Sequence, residues 1–91
     1  TPLMLAAIKG HEHIVRFLLD KGASIDASSE NGTTALMLAA KEGNLDTVLL
    51  LLERGAATNL RNLAGATALS LALEGGRKNV AAALIRAGAE Q

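Results

Sequence analysis

The sequence predicts an all-α fold: a solenoid of stacked helix-turn-helix units joined by short β-hairpin-like loops. Three observations predict it. Ten-residue stretches headed by a threonine recur three times at a spacing of 33 residues, as TPLMLAAIKG from Thr1, TALMLAAKEG from Thr34 and TALSLALEGG from Thr67. Each is followed by a second apolar segment closed by Gly-Ala. Almost half of the 91 residues are hydrophobic, most of them Leu and Ala, with Phe17 the one aromatic residue, a composition that favours helices over an aromatic-rich barrel.

Each unit opens on a threonine whose hydroxyl can accept a hydrogen bond from an unpaired N–H of the first helical turn. Pro2 follows Thr1 at the first helical position, where its missing N–H costs nothing. A short helix is therefore predicted after Thr1, Thr34 and Thr67, ended by Gly10, Gly43 and Gly76, because glycine adopts the left-handed cap conformation without a Cβ clash. Second helices are predicted over 11–21, 44–54 and 77–87, stopped in the same way by Gly22, Gly55 and Gly88. Two short helices joined at one glycine fold back antiparallel. The intervening segments, 23–33 and 56–66, are rich in Ser, Asn, Thr and Gly, and Asn31-Gly32 is a strong turn signal, so projecting loops are predicted there. The pairs Ala6-Ala7 and Ala39-Ala40 allow close helix approach, and the third unit has Ala72-Leu73 instead.

One such unit cannot bury its own apolar face, whereas stacked neighbours can. At roughly 25 cal/mol per Å² of buried apolar area, each junction can offset the ordering of one unit. The chain is short enough for one domain, residues 1–91, with units at 1–33, 34–66 and 67–91.

The repeated frame resembles the ankyrin repeat. The family signature Gly-x-Thr-Pro-Leu-His-x-Ala-Ala is echoed by GTTALMLAA at 32–40 and GATALSLAL at 65–73, and the first unit keeps TPLMLAA. The second-helix pattern appears as GHEHIVRFLLDKGA at 10–23. Met4, Met37 and Ser70 stand where the family prefers a histidine that ties units together, so methionine packing is expected to replace that tie in the first two units. The third unit is the weakest match and reads as a C-terminal cap.

Nine basic and nine acidic residues cancel, so no net charge draws nucleic acid or an anionic membrane. There is no cysteine, which excludes disulfides, and no apolar run approaches the length of a bilayer span. No signal peptide is evident, and an intracellular location and a monomer are expected. The chain begins without Met, and a longer parent protein is expected.

No cofactor or metal is expected. His11 and His13 are two residues apart on a helix and point to different sides, with no third ligand in the sequence pattern. GGRK at 75–78 looks like a phosphate loop but lacks the P-loop spacing and the following Ser or Thr. The carboxylates fall at positions expected to be solvated, and no nucleophile stands beside a base, so the chain reads as no enzyme.

The resemblance implies a protein-binding module that grips a protein partner through its loops and the concave side of its first helices. The matching positions are Ser28, Glu30, Asn31 and Thr33 in the first loop, Arg61, Leu63, Ala64 and Ala66 in the second, and Ile8, Lys9, Lys41, Glu42 and Glu74 on the first helices. Leu63 with Arg61 is the strongest anchor candidate, because an apolar side chain beside an arginine is typical of interfaces. The alternative is that Leu63 folds back on Leu60. Lys9 opposes Glu42 and Lys41 opposes Glu74, and pairing between neighbouring units is the expected use of these charges. Leu49 aligns with Arg16 on the outer side, as a lone exposed leucine or a small contact patch. Asn59 stands eight residues after Leu51, where some ankyrin-like proteins are hydroxylated, but Ala57 replaces the acidic residue usual before it. The competing functional reading is a structural or capping section of a longer ankyrin array with no partner of its own. A weaker third is polyanion binding through Arg77 and Lys78.

Overall fold

A computed structural model describes residues 1–89; the last two residues of the third unit, 90 and 91, lie outside the described residues. The first helices of the three units are α1 (Pro2–Lys9), α3 (Ala35–Glu42) and α5 (Ala68–Glu74). The second helices are α2 (Glu12–Asp20), α4 (Leu45–Glu53) and α6 (Lys78–Arg86). α1, α3 and α5 pack side by side in one layer, and α2, α4 and α6 form the other. The sequence-predicted end residues of the second helices are the observed caps: His11, Asn44 and Arg77 at the starts, Lys21, Arg54 and Ala87 at the ends.

The threonines begin the first helices as their chemistry requires. The Thr34 hydroxyl accepts from the Met37 amide at 3.3 Å, and the Thr34 amide donates back to the Met37 sulfur at 3.5 Å. Thr67 and Ser70 form the same reciprocal pair at 3.1 and 2.9 Å. This is a capping box in which a thioether or a hydroxyl replaces the usual carboxylate.

α1 and α3 end on Gly10 and Gly43, both left-handed at φ 72° and 74°. α5 departs from the prediction. It stops one residue earlier, with Gly75 as its cap at φ −83° and Gly76 left-handed beyond it. The third unit has glycine where the others have Lys9 and Glu42, and glycine is the weaker helix former, so the last turn does not close.

Leu36, Met37 and Leu69 from the first helices meet Val15, Val48, Leu51 and Leu84 from the second in one continuous buried cluster. Ala7 and Ala40, one from each of the first two first helices, are fully buried. No helix among the described residues is long and apolar enough to cross a membrane.

Candidate partner-binding surface

Both inter-unit loops close in tight turns. In the first, the Gly32 amide donates to the Ser29 carbonyl and the Ser29 amide to the Thr33 carbonyl, each at 2.9 Å. A single antiparallel bridge joins Ser28 to Thr34. In the second, the Gly65 amide donates to the Asn62 carbonyl and the Asn62 amide to the Ala66 carbonyl, again at 2.9 Å. The Asn62 side chain accepts from the amides of Ala64 and Ala66 and fixes the turn from inside. The tips are joined: the Leu63 amide donates to the Asn31 carbonyl at 2.8 Å.

That join leaves the Leu63 side chain outside, 82% exposed. It does not fold back on Leu60. Arg61 beside it donates through Nη1 to the Gly65 carbonyl at 3.0 Å, so its guanidinium straps the loop that carries Leu63. Ser28, Glu30 and Ala64 are exposed along the same two loops. Asn31 is exposed, but its side-chain oxygen accepts from the Ser29 hydroxyl and the Thr33 amide, which shapes the turn. Thr33 is buried and Ala66 half-buried, since both lie in the hairpin stems where the chain enters the next helix. Their side chains therefore shape the stems, whereas the exposed surface comes from the tips.

On the first helices Ile8, Lys9, Lys41, Glu42 and Glu74 are all exposed. The expected pairing of Lys9 with Glu42 and of Lys41 with Glu74 does not occur. Among the described residues the ion pairs are Arg16–Glu12, at 4.0 Å, and Arg54–Asp20, at 2.8 Å. Long exposed side chains gain too little from closing such pairs in water to hold one geometry. The charge link between units is instead Arg54 to Asp20, on the second helices, a pairing not visible in the columns because it joins different positions of the repeat.

Side chains that tie the units sit at two further places. Asn44 donates through Nδ2 to the carbonyls of Ala7 and Ile8 at 2.9 and 3.1 Å. Arg77, one repeat later, donates through Nε to the Lys41 carbonyl at 3.2 Å. Arg77 is thus a tie between units through Nε, while the residue itself stays exposed. On the loop side the Asp26 carboxylate accepts from the Ala57 amide at 2.9 Å, and Asn59 at the matching position donates to the Gly88 carbonyl at 3.4 Å. The sequence reading named Asn59 for a possible modification and missed this bridging role. Leu49 is exposed, as are Arg16 and Ala82 in the same column.

A family model described as ankyrin repeats (3 copies) matches residues 1–62, more than half of the chain. The match ends at the second loop, and α5 and α6 take their place in the stack through their packing on α3 and α4. No curated protein matches the chain.

Proposed function

The chain belongs to the ankyrin-repeat family, and we propose that it is a non-catalytic protein-binding module of one domain, residues 1–91, with units 1–33, 34–66 and 67–91. Ankyrin repeats are generally protein-interaction modules and generally not enzymes. The partner is a protein, gripped through the loop tips and the exposed side of the first helices, and the module acts as a monomer without cofactor, nucleic acid or membrane.

The observation that carries this reading is Leu63, a large apolar side chain almost wholly in water at the tip of a loop that five internal hydrogen bonds hold in shape. A rigid exposed leucine loses little further freedom on burial, which is what an interface anchor needs. Exposed charges of both signs from Lys9, Lys41, Glu42 and Glu74 lie free of ion pairs nearby on the first-helix layer and suit a rim.

The test is capture of partners by the full protein, followed by affinity measurement on Leu63→Asp. Binding to a captured partner is expected to fall at least ~10-fold, a loss of about 1.4 kcal/mol, with the circular dichroism spectrum unchanged. Unchanged affinity together with unchanged binding for Ile8→Ala and Lys41→Ala removes this surface from the reading.

A further inference from the structure

The chain holds five asparagines, and four of them precede a bulky residue: Asn44-Leu45, Asn59-Leu60, Asn62-Leu63 and Asn79-Val80. Asn31 alone precedes a glycine, Gly32. A branched side chain shields the amide nitrogen of its own residue, and glycine leaves that nitrogen open.

Asn31 is also exposed, in the middle of the turn that the Gly32 amide closes on the Ser29 carbonyl. Its side-chain oxygen accepts from the Ser29 hydroxyl and the Thr33 amide, while its side-chain nitrogen makes no hydrogen bond among the described residues. Asn59 is exposed in a loop as well, but Leu60 follows it; Asn79 is exposed within α6, whose backbone is fixed by the helix.

This tip is sensitive to the length of its own backbone. The Asn31 carbonyl accepts the Leu63 amide at 2.8 Å and so joins the two loops. Gly32 is left-handed at φ 79° and lies against the second loop: a methyl group on it would stand 3.2 Å from the Asn62 Cα and 3.4 Å from the Leu63 nitrogen. One more backbone carbon between the Asn31 Cα and the Gly32 nitrogen leaves no way to keep both the turn and the join.

We propose that Asn31 is a site of spontaneous covalent modification that uncouples the two loop tips. The turn opens and the Gly32 amide leaves the Ser29 carbonyl, a local event at an exposed loop. The Gly32 nitrogen gives its proton to solvent base and attacks the side-chain amide carbon of Asn31. The departing amide nitrogen takes protons from water and leaves as ammonia, and a succinimide ring remains. Water then opens the ring at either carbonyl. One opening gives aspartate at position 31, which still offers an oxygen to Ser29 and Thr33, with one more negative charge beside Glu30. The other gives isoaspartate, whose backbone runs through the former side chain and is one methylene longer, and this product parts the tips. The chemistry stands whether or not the tips bind a partner.

The test ages the full chain in mildly alkaline buffer made with oxygen-labelled water and maps its peptides by mass spectrometry with electron-transfer fragmentation, which separates isoaspartate from aspartate. Asn31 is expected to convert at least several-fold faster than Asn59 and Asn79, to take up one solvent oxygen and to give both products; Asn31→Gln should abolish conversion at that position. In the isolated isoaspartate fraction the Leu63 amide should exchange with solvent ~10-fold faster than in fresh protein, whereas Asn31→Asp should keep it protected. An Asn31 still intact after weeks, conversion no faster than at Asn59 and Asn79, aspartate as the sole product, or an isoaspartate fraction with Leu63 still protected overturns the proposal.

Discussion

Asn44 packs directly against Gly10: a methyl group placed on the glycine would stand 3.1 Å from the Asn44 amide carbon, while the amide nitrogen donates past it to Ala7 and Ile8. Gly10 thus serves twice, as the left-handed end of α1 and as the bare surface that lets the next unit reach the helix carbonyls. Asn44 is a residue type that commonly caps its own helix, yet it makes no side-chain cap bond on α4. Its amide is committed across the junction instead. Asn44→Ala is expected to cost about 1–2 kcal/mol, since two hydrogen bonds go and the Ile8 carbonyl remains open to water. Gly10→Ala is expected to cost a similar ~1–2 kcal/mol for the left-handed backbone alone, plus the displacement of Asn44. Urea unfolding of both variants and of the double variant checks this. The combined loss should be smaller than the sum, because the two residues share one contact.

Thr47 on α4 is buried, and its hydroxyl has no hydrogen-bond partner. A buried unpaired hydroxyl is a standing cost. Thr47→Val keeps the shape and removes that cost, and Val80 already fills the matching position in the third unit. The variant is expected to be more stable by about 1 kcal/mol, seen as a raised urea midpoint at unchanged slope.

The outer charge link and the loop link between units should behave differently. Arg54–Asp20 is a short pair, but both side chains are substantially exposed, so Asp20→Asn is expected to cost at most ~0.5 kcal/mol, fading as salt is added. The Asp26 carboxylate caps a backbone amide of the next unit, which asparagine can also do through its carbonyl oxygen. Asp26→Ala is expected to cost about 1 kcal/mol and Asp26→Asn clearly less, with little salt dependence in either. Denaturation at low and high salt separates the two kinds of link. Equal salt sensitivity at both sites contradicts the assignment.

How far the sequence could be read follows from these particulars. The threonine caps, the glycine stops and the buried leucine columns are local or strictly periodic signals, and a gapless period of 33 residues makes them visible without any structure. The ties between units were not legible. Asn44 and Arg77 share a position but not a residue type, and Arg54–Asp20 joins two different positions, so no column displays either. What could have signalled the first is chemistry rather than identity: Asn44 and Arg77 are both side-chain hydrogen-bond donors directly after the left-handed glycine that follows a first helix. Lys9 and Glu42 misled in the opposite direction, since alignment in a column gives proximity of backbones and not closure of long solvated side chains. Leu63 was legible as an anomaly, an apolar residue at a turn, but only the geometry of Asn62 and Arg61 tells that it is held outward.

A unit that cannot bury its apolar face alone needs its neighbours to fold, and α3–α4 is the sharpest case. Ala35, Leu36, Met37, Ala39 and Ala40 are all buried, because α1 covers one side of α3 and α5 the other. A peptide of residues 34–66 returns both of those sides to water while keeping every cap and turn of its own. Helices of eight and nine residues are far below the length that holds in water by propensity alone, roughly 12–15 residues. The peptide is therefore expected to show only a small part of the helical signal that the same residues contribute in the full chain, with no cooperative thermal transition. Far-UV circular dichroism of the peptide against the intact protein makes the comparison. A peptide that melts cooperatively near the temperature of the whole chain would show that each helix pair carries its own core, and that the stacking described here is ornament to a fold already complete.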